Sequence, residues 1–74
     1  MFVVIEMQVF AEDVATLTYK FSDYSAALNK YHLILSSAAV SQVPVHSAII
    51  LDKFGRVVKS EYFNHEGELP DVDE

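Results

Sequence analysis

Apolar residues recur at every second position near the start of the chain, at three- and four-residue intervals through its middle, and again in a strand-like rhythm toward the end. From Phe2 to Phe10 the odd positions Val3, Ile5, Met7 and Val9 are all apolar, the period expected of a buried strand face. The even positions are mixed: Phe2, Val4 and Phe10 are apolar, whereas Glu6 and Gln8 are polar. Ala11, Glu12 and Asp13 make a short link. Val14 to Phe21 then alternates cleanly, with Ala15, Leu17, Tyr19 and Phe21 on one face and Thr16, Thr18 and Lys20 on the other. The short link makes the two strands a hairpin.

Ser22 and Asp23 are suitable helix N-caps, because their side-chain oxygens accept from the free amides of a first turn. The spacing predicts a helix from about Asp23 to about Ala39, with Ala27, Leu28, Tyr31, Ile34, Leu35 and Ala38 as its apolar stripe. Ser25, Asn29, His32 and Ser36 form a second, polar stripe. Pro44 blocks continuation. Val45 to Asp52 reads as a third strand, with Val45, Ile49 and Leu51 on one face and Ala48 and Ile50 on the other. Asp52-Lys53-Phe54-Gly55 has the composition of a type I turn closed by a glycine bulge. Arg56 to Phe63 returns as a fourth strand. Pairing Asp52 with Arg56 sets Ile50 opposite Val58, Ala48 opposite Ser60 and His46 opposite Tyr62.

The expected fold class is α+β: ββαββ, an antiparallel four-stranded sheet with one helix packed on one face. One helix covers only one face of a sheet. The other face, expected to carry Phe2, Val4, Phe10 and one row of the third strand, is then left for self-association, through that face or an edge. Length sharpens the point. Residues 1–65 make one small domain of a 74-residue chain, near the lower limit for an independent core. There is no cysteine to staple it. A dimer or higher homo-oligomer is the expected remedy.

The formal net charge of −6 is unevenly placed. Up to His65 there are six acids and five bases, leaving −1, while residues 66–74 carry five acids and no base. An acidic, disordered tail is expected over 66–74. The nearly neutral body argues against direct nucleic-acid binding. Glu6 and Gln8 interrupt the apolar start, and no stretch reaches the roughly 18 apolar residues of a membrane span. No signal peptide and no membrane partner are expected, and the lack of cysteine is compatible with a reducing cytoplasm.

Candidate chemistry is sparse. His32 and His46 have the chance to meet across the helix-to-strand corner, with Glu61, Asp52 or Asp23 as a third group, but their spacing fits no zinc pattern. The ordinary reading places His32 on the helix surface, His46 half-buried against Tyr62 or backbone, and His65 in solvent. No serine sits in an activating motif, and two glycines make no phosphate loop. Paired carboxylates would have to be Glu6 with Glu61, or Glu12 with Asp13. The reading is a non-enzyme with no cofactor and no metal site. Ligand binding at a subunit junction is the leading specific expectation, built from the polar helix stripe with Tyr24, Tyr31 and His32, and with His46, Ser47 and the lone arginine Arg56 added.

Three short segments carry a resemblance: Lys30-Tyr31-His32, then Ser37-Ala38-Ala39-Val40-Ser41, then Pro44-Val45-His46-Ser47-Ala48. Together they resemble a group of very small phage and prophage proteins in which a YH-x-x-L segment leads through AAVS and PVHSA into a short hairpin. The layout covers most of residues 1–65 and the motif about 20 residues. The resemblance implies an accessory viral protein acting in the host bacterial cytoplasm, and it raises Tyr31, His32, His46 and Ser47 among the site candidates. It implies counter-defence work in one of two forms. One is a homo-oligomer that sequesters a nucleotide-type immune signal; the other, of the anti-CRISPR type, is an inhibitor that contacts a host defence protein directly. A virion or assembly accessory role is the third possibility.

Overall fold

The computed structural model describes residues 1–65; the expected tail over 66–74 lies outside the described residues. The element order is β1 (Phe2–Val9), β2 (Val14–Phe21), α1 (Tyr24–Ala39), β3 (Val45–Leu51) and β4 (Val57–Asn64), the expected ββαββ α+β fold. The four strands form one antiparallel sheet in the order β2-β1-β3-β4. Because β2 and β3 are each antiparallel to β1, they run parallel to each other with β1 between them. The chain therefore has to cross over β1, and α1 is that crossover. This connection lays the helix across the middle of the sheet.

Asp23 caps the helix as expected, its Oδ2 accepting from the Ala26 amide at 3.3 Å. Ala27, Tyr31, Ile34, Leu35 and Ala38 are its buried stripe. They meet Val4, Ala48 and Ile50 in one core, with Phe2, Tyr19, Phe21, Leu28 and Phe63 packed around it. Lys30 Nζ lies 4.2 Å from the centre of the Tyr19 ring, and Tyr24 packs its ring 5.3 Å from Phe2. These contacts fasten the helix over β1 and β2.

Two expectations are overturned, both about which way strands face. In β1 the helix covers the even positions, so Val4 is fully buried and the uniformly apolar set Val3, Ile5, Met7 and Val9 lines the helix-free face. Pairing explains the choice: Val4 stands between Tyr19 and Ile50, and Glu6 and Gln8 stand beside Ala48 and His46. The polar even positions are accepted inside because they find partners there.

In β4 the register is one residue away from expectation. The turn forms as predicted, with Gly55 at φ +80 and paired amide bonds from Gly55 N to Asp52 O and from Asp52 N to Arg56 O. A register shift then follows: Leu51 faces Val57, but Ile50 faces Lys59. The extra residue at Val57-Val58 is a β-bulge, and it transfers every later side chain of β4 to the opposite face. Tyr62 thus stands beside Ser47, and Phe63 beside His46.

Two ionisable groups give the fold a defined pH response. Asp52 accepts at Oδ1 from the amides of Phe54 and Arg56 and at Oδ2 from Arg56 Nε, each at 2.9 Å. The Arg56 amide bond is the largest of the influences that hold its carboxyl below the usual range. Its stabilising share is present above the unfolded carboxyl value and lost as pH falls through the lowered folded value. Asp52→Asn should flatten the acid limb of a pH–denaturation series. Burial, followed by the charge of Glu61, pushes the Tyr31 hydroxyl up. The stability this reflects is complete below pH ~10 and disappears as pH rises through the folded value. Tyr31→Phe should remove that part of the alkaline limb, read by circular dichroism.

Candidate functional site

The sequence-predicted candidates do not converge. Tyr31 is 2% exposed and belongs to the core. Tyr24 packs on Phe2 at the helix start, and His32 is exposed, its ring 5.6 Å from Tyr31. The polar stripe of Ser25, Asn29, His32 and Ser36 is a solvated helix face. Arg56 sits at the hairpin tip, paired with Asp52 and 5.3 Å from the Phe54 ring, where it closes the turn. The expected pocket beside the helix is therefore not assembled. His46 and Ser47 remain, on opposite faces of β3.

His46 is buried on the helix side, and its partner is Glu6, which the sequence did not single out for it. Nε2 donates to Glu6 Oε2 at 2.7 Å, and the same oxygen accepts from Gln8 Nε2 at 3.0 Å. The other ring nitrogen, Nδ1, is buried without a partner. Alternation along the strand sends the Ser47 side chain to the far side of the sheet, so this histidine and its neighbouring serine form no base–nucleophile pair. The arrangement holds Glu6 and Gln8 inside the domain and ties the centre of β1 to β3. A signal for it was present: two polar residues two apart in an otherwise apolar strand need a buried polar partner.

His65 also departs from expectation. Its amide donates to Pro44 O at 2.7 Å, its Nε2 donates to Ala38 O at 2.8 Å, and its ring stacks on Phe63. It seals the C-terminal end of the helix instead of standing in solvent. Among the described residues no group of three or more histidine, cysteine, aspartate or glutamate side chains is placed to hold a metal ion.

The concave site lies on the helix-free face, which has a regular construction. Its cross-strand rows run Thr16–Met7–Ser47–Tyr62, then Thr18–Ile5–Ile49–Ser60, then Lys20–Val3–Leu51–Val57. A hollow of about 220 Å³ opens between β1, β3 and β4, lined by Met7, Val45, Ser47, Ile49, Ser60 and Tyr62, with Glu61 also at its margin. Ser47 is 7% exposed, and its hydroxyl is buried with no hydrogen-bond partner. Tyr62, by contrast, is 67% exposed and stands as a wall. A lining of thioether, aliphatic, aromatic and hydroxyl-bearing residues suits a flat, largely apolar ring with a polar edge. The sequence chose Ser47 as a site residue but set Tyr62 beside His46 and Ser60 beside Ala48; the bulge brings both to this face instead, and the face choice in β1 brings Met7.

The His46–Glu6 pair makes a direct prediction. Glu6→Ala leaves both ring nitrogens of His46 without a partner and should cost about 1–3 kcal/mol in urea denaturation. Joint replacement by Glu6→Leu and His46→Phe should cost less than the sum of the single changes in a double-mutant cycle.

Comparison of the chain with known protein families, with curated proteins and with solved structures finds no match to any of them.

Proposed function

We propose that this chain is a non-catalytic binding protein that holds a small planar ligand on the helix-free face of its sheet and acts as a homo-oligomer. One observation carries the reading: Ser47, its buried hydroxyl unpartnered, lines a hollow together with the exposed Tyr62 ring. A buried hydroxyl without a partner costs about 1–3 kcal/mol, and a ligand that supplies the missing hydrogen bond recovers that cost on binding. Tyr62 offers a stacking surface, and Met7 an adaptable opposite wall.

The ligand class follows from size and charge. Ligand pockets usually enclose roughly 300–1,000 Å³. One hollow therefore takes a ring and leaves the rest of a larger ligand outside. Its lining offers hydroxyls and apolar groups but no cation, which suits a nucleobase edge better than a phosphate. The resemblance to small phage proteins supplies the setting for this reading: sequestration of a nucleotide-type immune signal in the host bacterial cytoplasm. A second reading has its own observation. The apolar surface continues past the hollow through Val3, Ile5, Val9 and Leu51, which suits contact with a host defence protein of the kind an inhibitor needs.

Isothermal titration with adenosine, guanosine and cyclic mono- and dinucleotides tests the first reading. Binding at micromolar concentration is expected, weakened at least tenfold in Ser47→Val and Tyr62→Ala, with thermal stability checked in parallel. Absence of heat with every probe, together with a stable complex with a defence protein lost in Met7→Asp, would instead establish the second.

A further inference from the structure

The sheet ends on β4, and among the described residues no strand pairs with its outer side. In antiparallel pairing, alternate residues exchange backbone hydrogen bonds with the neighbouring strand. The His65 amide donates to Pro44 O, so the odd residues Phe63, Glu61 and Lys59 turn their backbone groups inward to β3. Val58, Ser60 and Tyr62 turn theirs outward. Their side chains add an exposed apolar margin, with Val58 40% and Tyr62 67% exposed. Such an edge is a template for another strand.

The side chains select the occupant. We propose that β4 pairs antiparallel with β4 of a second copy of this chain about a two-fold axis at Ser60, joining two sheets into one of eight strands. In that register Ser60 meets Ser60, Val58 meets Tyr62 on the open face, and Lys59 meets Glu61 on the helix face. The last two pairings each occur twice by symmetry. All three outward residues then find backbone partners, giving about six inter-chain hydrogen bonds. Moving the axis by one residue sets Lys59 against Lys59 or Glu61 against Glu61, a like-charge pair directly opposite. The charge pattern thus favours a single register. The other edge strand, β2, carries Lys20 with no acid to answer it.

The pairing also bears on ligand binding. Ser60 lines the hollow and lies on the axis, so the two hollows become neighbours on one continuous face. Side by side they reach the volume range of ordinary ligand pockets, with a Tyr62 wall from each copy. This consequence rests on the binding reading above; the pairing itself does not.

The chain has no cysteine, so a single introduced thiol reports the axis. Cα atoms of a hydrogen-bonded antiparallel pair lie about 5.5 Å apart, within the range a disulfide spans. Under mild oxidation Ser60→Cys should give a cross-linked dimer, whereas Thr16→Cys on β2 should not. Sedimentation of the unmodified chain should show a dimer, which Ser60→Pro converts to monomer with its circular dichroism retained. Lys59→Glu and Glu61→Lys should each weaken the dimer about tenfold, and combining them should restore it. A monomeric unmodified chain, equal cross-linking of both cysteine variants, or a dimer indifferent to Ser60→Pro would overturn the pairing. Nucleoside titration of the unmodified chain separates the two ideas: binding by a monomeric chain leaves the hollow reading standing and removes only the dimer.

Discussion

One helix has to cross one strand, and everything else follows from that crossing. The β2–α1–β3 connection passes over β1 and lies on a single side of a four-stranded sheet. The core is therefore a single layer, formed where Tyr31, Ile34 and Leu35 press on Val4, Ala48 and Ile50. The small side chain of Ala48, fully buried at the centre, marks where the helix comes down on the sheet. Away from it the cover thins: Leu17 on β2 points to the helix side yet remains 44% exposed. The opposite face is left to whatever the protein meets in solution.

The polar residues inside the domain sharpen this arrangement. Glu6, Gln8 and His46 occupy positions that apolar residues would fill in a simpler core, and they are joined through a shared carboxylate oxygen, with His46 Nδ1 left unpartnered. A buried polar pair of this kind is weak as a source of stability. It does penalise alternative pairings, because a slip of β1 against β3 would part Glu6 from His46 and turn the carboxylate to the other face. The open face has the reverse character, with apolar rows interrupted by hydroxyls and a lysine at its margin.

The candidate site shows how one extra residue redirects side chains from one face of the sheet to the other. Without the bulge at Val57-Val58, Tyr62 would lie beside His46 and the hollow next to Ser47 would lose its aromatic wall. With it, His46 has Phe63 and Glu6 for neighbours and becomes part of the core. The residues that motif resemblance singled out are accordingly divided. Tyr31 and His46 are buried on the helix side, His32 is solvated, and Ser47 alone stands at the concave site.

The sequence by itself determined the elements and their order, since periodicity, an N-cap and a glycine turn are local properties read over a few neighbouring residues. The helix stripe, Asp23 as cap and Gly55 at positive φ were legible for that reason. Face choice and register were decided by tertiary structure. In β1 both sets of alternate residues include apolar side chains, so alternation could not say which face the helix would cover; the bond of Glu6 to His46 on β3, with Gln8 joined to the same oxygen, decided it. In β4 a bulge leaves almost no local mark, yet it inverts the strand, because side chains alternate with period two and one added residue exchanges the faces.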